Sequence, residues 1–216
     1  MDFQIALLLG QDGLTNGAIY ALLALALVLV FAVTRVIFIP QGEFVAYGAL
    51  TLAALQAGKV PATLWLVLAL GTAVAAIDSA QALRHGATRR LPRIVAVNLV
   101  VPLLLWLLLT SVDLVGLPLI GQIALALAIV VPLGPMLYRL AYQPIAEASV
   151  LMLLIVSVAV HVVLIGLGLL FFGAEGTRTP AFTEGTLDLG ATTLQYQTLW
   201  ILASSAVLIV ALYAFF

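Results

Sequence analysis

The chain has 216 residues, of which 65% are hydrophobic and 8% are charged, and its formal net charge is −1. A soluble domain carries about 25% charged residues, and a chain of this length cannot bury two-thirds of its residues in its own core. The composition therefore excludes a soluble globular protein. The charge balance gives no basis for nucleic-acid binding. The lack of cysteine excludes disulfides, thiolate metal sites and a thiol nucleophile.

Stretches without Asp, Glu, Lys or Arg divide the chain into candidate spans. These stretches are 13–34, 44–58, 60–77, 94–112, 114–138, 148–174 and 189–216. A helix rises 1.5 Å per residue, so the first stretch reaches about 33 Å, enough for a hydrocarbon core of about 30 Å. The runs are too long and too continuously apolar for barrel strands of about ten residues. The pattern predicts an all-α, polytopic transmembrane helical bundle with about seven spans.

The second stretch, 44–58, is short for a full span. It crosses the bilayer only if its helix includes Gly42 and Glu43; otherwise it is a broken segment buried in protein.

The distribution of basic residues predicts the orientation. With the N-terminus outside and seven spans, only Lys59 and Arg178 of the eight basic residues fall on the outer side, whereas acidic residues such as Asp2 fall there. We therefore expect the N-terminus outside and the C-terminus inside. The start of the chain lacks the positively charged region of a signal peptide, so we expect no cleaved signal peptide. The arginine-rich segment from Asp78 to Arg93 is predicted to be the largest cytoplasmic loop. It is a topology signal that contacts anionic lipid, or a docking surface for a partner. The Gly/Thr-rich segment 173–188 is predicted to be an outer surface connection, or a contact for an extracytoplasmic partner.

The first polar cluster within a span contains Gly13, Asn16, Gly17 and Tyr20. The two glycines form a GxxxG pair, which allows close approach between helices. Asn16 and Tyr20 are four residues apart and share one helix face. This cluster is either a helix-packing seam or part of a translocation path.

The second cluster surrounds Pro40, Gln41, Gly42 and Glu43. Proline removes a backbone donor and disfavours helix at the preceding residue, so a helix is expected to start again at Pro40 or Gln41. Glu43 then lies in the first helical turn, where the helix dipole favours a carboxylate. Two interpretations remain open: a capped helix start with an Arg35–Glu43 ion pair, or a broken helix whose freed backbone lines a cavity.

The third cluster is Ser157 and His161, four residues apart in the stretch 148–174. A histidine in an apolar span needs a partner or water. The pair either makes a neutral packing contact or faces a proton-sensing or solute path.

Enzyme signatures are missing from the sequence. It has no GxxxxGK[ST] phosphate loop, no HExxH and no GxSxG motif. We therefore predict no catalytic, cofactor-binding or metal-binding residues and no ATP hydrolysis by this chain.

Two stretches resemble the permease subunits of branched-chain amino acid ABC transporters. Residues 13–50, GLTNGAIYALLALALVLVFAVTRVIFIPQGEFVAYGAL, are similar to the first span of that family and the INFAHGE-like turn that follows it. Residues 138–180, beginning YRLAYQPIAEASVLMLLI, are similar to the family's ERLVYRPLR segment and the span after it. Only Gly42 and Glu43 match the turn cleanly.

The resemblance implies one multi-pass permease domain in a bacterial inner membrane. It implies four kinds of partner: a second permease subunit, two cytoplasmic ATPase subunits, an extracytoplasmic substrate-binding protein and membrane lipid. The implied solutes are branched-chain amino acids or related small amino acids and amides, with Asn16, Tyr20, Gln41, Gly42, Glu43, Ser157 and His161 as candidate path or gate residues.

The sequence departs from this family in two further ways. Residues 78–137 look like an added helical hairpin, and family members continue past the position of Phe216 into a cytoplasmic coupling loop and more spans. We therefore expect a fragment or a truncated product. The alternatives are a truncated, transport-inactive membrane or assembly protein and a secondary transporter.

Overall fold

The protein is described by a computed structural model that covers residues 3–177, 179–188 and 193–215; Asp2 and Arg178 lie outside these residues. In this part, six helical segments are long and apolar enough to cross a bilayer. They are Ile5–Thr34, Thr63–Arg84, Thr88–Ser111, Leu119–Ile145, Val150–Phe172 and Tyr196–Ala214. The prediction of an all-α, multi-pass helical bundle is confirmed.

The chain divides into two compact units, and the first consists of residues 1–35 and 180–216. It contains helix α1 (Phe3–Thr34), strands β1 (Thr186–Asp188) and β2 (Thr193–Gln195), and helix α9 (Tyr196–Phe215). The strands are antiparallel, with Leu187 opposite Leu194, and α1 packs along α9. The predicted connection 173–188 thus ends in a β-hairpin, and the last helix begins later than its apolar stretch does.

The second unit, residues 36–179, contains the other helices. They are α2 (Gln41–Gln56), α3 (Thr63–Arg84), α4 (Leu91–Val95), α5 (Val101–Ser111), α6 (Leu119–Val130), α7 (Leu133–Leu137) and α8 (Val150–Phe172). Short 3₁₀ turns occupy Thr88–Arg90 and Gln143–Ile145, and π-helical turns occupy Ala96–Val100 and Tyr138–Tyr142. The core of this unit is aliphatic and includes the fully buried Leu55, Leu64, Val67 and Ile129. Residues 78–137, the predicted added hairpin, comprise the end of α3 and parts of the helical segments Thr88–Ser111 and Leu119–Ile145.

The prediction of a loop from Asp78 to Arg93 is wrong, because most of these residues are helical; the predicted cytoplasmic side stays a prediction. Helix α3 continues to Arg84, and a 3₁₀ turn resumes at Thr88. The residues that follow Asp78 are mostly good helix formers, so the apolar span extends into a polar helix end. Gly86, with φ 68°, provides the left-handed residue that stops it.

Each π-helical turn precedes a proline. Pro102 has no backbone N–H, so the α-helical bond to the carbonyl of Asn98 cannot form, and Pro144 has the same effect on Leu140. The Asn98 carbonyl lies against Gly71 of α3, where an added Cβ would be 2.2 Å from its oxygen. The two helices therefore meet at backbone distance, and only glycine fits there.

Candidate functional site

Between α1 and α2 the chain runs through a non-helical segment, residues 36–40. Arg35 has φ 57°, a value that interrupts a helix, and Pro40 immediately precedes α2. Val36 is buried with Tyr142 and Leu153, and Pro40 is fully buried. Within a membrane, irregular backbone is tolerated only where protein or a water-filled cavity surrounds it.

The non-helical segment is tied to the middle of α8 by Ser157. The Ile39 N–H donates to Ser157 Oγ at 3.0 Å, and the Tyr142 hydroxyl donates to the same oxygen at 3.2 Å. Ser157 is fully buried and Tyr142 is nearly so. Phe38 packs against Tyr142 with ring centroids 5.9 Å apart. The Ser157 hydroxyl oxygen thus joins α8 to the non-helical segment 36–40 and to the π-helical turn Tyr138–Tyr142.

Glu43 and His161 meet one helical turn further along. His161 Nδ1 lies 2.9 Å from Glu43 Oε1, and the Glu43 side chain is only 15% exposed. The contact is short but not well aligned for a hydrogen bond, and the other carboxylate oxygen, Oε2, is buried without a hydrogen-bond partner among the described residues. A buried carboxylate oxygen of this kind requires water, a cation or a polar solute.

The depth of this pair follows from its position along α8. His161 is the twelfth of the 23 residues of that helix, so it lies about 17 Å from either end. The pair is therefore near the middle of a helix that is long enough to span the bilayer. Ionisable groups at that depth face a protein interior or water and mark ion or solute pathways.

Helix α2 continues alongside the second half of α8. The Tyr47 hydroxyl donates to the Leu164 carbonyl at 2.9 Å, and the Tyr47 ring lies edge-on to Phe172 at 6.1 Å. Lys59, just after α2, lines a cavity together with Phe172. The segment from residue 36 to residue 59, called the broken segment below, thus follows α8 and is part non-helical and part helix. Glu43 contacts His161, and a cavity lined by the freed backbone stays a prediction.

The structure brings together five of the seven predicted site residues. Gln41 and Gly42 are the first two residues of α2, immediately before Glu43, which contacts His161. Ser157 lies one turn before His161 on α8.

The other two candidates lie in the first unit, on α1. Asn16 and Tyr20 are exposed, Tyr20 by 70%. An added Cβ at Gly13 or Gly17 would meet nothing within 4 Å. The predicted GxxxG seam therefore has no close partner among the described residues.

Sequence reasoning missed Tyr142 and Tyr47. Tyr47 follows Glu43 by four residues, a spacing that places both on one face of α2. Tyr142 gave no comparable signal, because its partner Ser157 lies on the next helix.

Comparison with models of known protein families, with curated proteins and with solved structures gives no match to this chain. The resemblance to branched-chain amino acid permeases therefore stays a prediction.

Proposed function

We propose that the chain is the membrane-spanning permease subunit of an ATP-driven importer for branched-chain amino acids or related small amino acids and amides. The observation that supports this most directly is the broken segment, residues 36–59, in which Glu43 contacts His161 at the middle of α8. Unwound segments and helix starts at mid-membrane give solute groups access to backbone donors and to the positive end of a helix dipole.

The proposed topology has seven crossings, the six long helices and the broken segment. With the N-terminus outside, the basic residues concentrate inside, where the positive-inside rule favours them. The chain has no cysteine, so Arg89→Cys introduces a single reactive thiol. We expect a membrane-impermeant maleimide to label this variant only after the cells are opened; labelling of intact cells contradicts the orientation.

ATP hydrolysis is assigned to separate partner subunits because the sequence has no phosphate-binding loop. The test is co-expression with a second permease subunit and a pair of ATPases of the branched-chain class, followed by uptake of labelled leucine, isoleucine and valine in vesicles. We expect ATP-dependent uptake that requires this chain. Vesicles that contain all subunits and a binding protein, yet show neither uptake nor solute-stimulated ATP hydrolysis, contradict the proposal.

Glu43→Gln tests the site itself. The change removes the negative charge from the position beside His161, so we expect uptake to fall by about tenfold or more, because an acidic group within a membrane pathway acts through its charge. Glu147→Gln, at an exposed position outside the helices, is the matched control and should leave uptake unchanged. Membrane levels of both variants are measured by immunoblot. Equal loss of uptake and of protein in the Glu43 variant indicates a structural role.

The Glu43–His161 contact also favours a second candidate, a proton-coupled secondary transporter, because carboxylate and histidine groups within a membrane form proton relays. The two functions differ in energy source. Proteoliposomes with this chain alone and an imposed pH gradient accumulate solute only if the second candidate is right.

A further inference from the structure

A polar cavity lies in the 36–179 unit, at the C-terminal end of α3. Its volume is about 310 Å³. The polar lining comes from α3, the turn that follows it and the π-helical turn 138–142, and consists of Asp78, Gln81, His85, Arg90 and Arg139. This size is at the lower end of the range for ligand cavities, about 300–1,000 Å³, and suits a small head group.

The charges around this cavity leave an excess of positive charge. Arg139 is held by Asp78, with Nη2 2.5 Å from Oδ1, and it also donates to Gln81 at 2.7 Å. Arg90 has no ion-pair partner in the part of the chain that the structure describes. Two guanidinium groups therefore line the cavity with one carboxylate, and the His85 ring adds an N–H donor. An oxyanion is the ligand that this arrangement accepts best.

The surroundings point to a lipid as the source of that anion. The cavity opens where three apolar helical segments end, beside the exposed Arg84, Arg89 and Arg93. Apolar side chains are exposed next to it, among them Leu83 (60%) and Val97 (55%). A phosphate held in the cavity would leave its acyl chains along this apolar surface. Basic pockets between helices at a membrane surface bind anionic head groups in this way.

We propose that this cavity is a binding site for the phosphate of an anionic phospholipid, with Arg90 as its main ligand and Arg139 positioned by Asp78 as the second. The site is separate from the mid-membrane Glu43–His161 pair, and the proposal does not depend on the transported solute.

The test is native mass spectrometry of the purified chain in a neutral detergent, titrated with phosphatidylglycerol or phosphatidylcholine. We expect preferential binding of phosphatidylglycerol. Arg90→Gln should weaken that binding about fivefold, the effect of roughly 1 kcal/mol per basic residue at a lipid surface. Arg89→Gln is the matched control, since Arg89 lies in the same turn but does not line the cavity, and it should change binding less than about twofold.

A charge-retaining variant separates binding from folding. Arg90→Lys should keep most of the affinity that Arg90→Gln loses, and all variants are checked for helicity by circular dichroism. Equal weakening by Arg89→Gln and Arg90→Gln shows diffuse surface charge and overturns the site. Equal binding of the two lipids also overturns it. Displacement of the lipid by inorganic phosphate at matched ionic strength assigns the site to a soluble phosphate ligand and overturns the lipid assignment.

Discussion

Ser157→Ala tests whether one buried hydroxyl holds the broken segment, residues 36–59, against α8. Ser157 Oγ accepts from the Ile39 N–H, in a partly buried bond, and from the Tyr142 hydroxyl, in a buried one. Alanine fits the space but leaves both donors without this acceptor. A hydrogen bond contributes about 1 kcal/mol net, so the free energy of unfolding should fall by about 2 kcal/mol.

A double-mutant cycle makes this expectation specific. Tyr142→Phe removes one of the two bonds and should cost about 1 kcal/mol, whereas Tyr142→Phe in the Ser157→Ala background should cost close to nothing. The expected coupling energy between Ser157 and Tyr142 is therefore about 1 kcal/mol, within the range measured for hydrogen bonds between membrane helices, up to about 1.7 kcal/mol.

The assay is reversible unfolding in mixed micelles, followed by circular dichroism as the fraction of denaturing detergent rises. Ser204→Ala is the control, because Ser204 is exposed on α9 and its hydroxyl donates to the Ile201 carbonyl of its own helix. The control should change stability by less than about 0.5 kcal/mol. Additive losses for Ser157 and Tyr142, or a Ser157→Ala loss no larger than the control's, refute the proposed role of the serine.

Two further predictions use the same assay. Gly71→Ala places a Cβ against the Asn98 carbonyl and should destabilise the protein by about 1–3 kcal/mol. Gly166→Ala is the control, because the added Cβ meets nothing within 4 Å, and it should be neutral or slightly stabilising. Equal effects of the two changes contradict the close approach of Gly71 to Asn98. Tyr47→Phe loses the bond to the Leu164 carbonyl and should lower the free energy of unfolding by about 1 kcal/mol. Tyr213→Phe, at an 85% exposed position, is the control and should leave it almost unchanged. A Tyr47→Phe variant as stable as the control contradicts the bond.

Structural features that depend on residues close together in the sequence were predictable. Long apolar runs predicted the membrane class and the approximate helices, because each backbone polar group in a lipid-exposed helix is satisfied within its own segment. Pro40 predicted the helix restart, since a proline ring acts on the residues beside it. The boundary at Asp78 was wrong for the converse reason. A charged residue marks where hydropathy changes, but helix propensity and pairing with Arg139 continue α3 beyond it.

The sequence by itself determined that this is a helical membrane protein and that residues near Pro40, Ser157 and His161 are among the polar positions within its apolar stretches. Only the tertiary structure decided which of them meet. The Ile39 and Ser157 partners are 118 residues apart, and helical spacing relates positions only within one helix. The Glu43–His161 contact, the double acceptor role of Ser157 and the Arg90 cavity each depend on how separate helices pack, because side-chain packing and backbone approach set those distances.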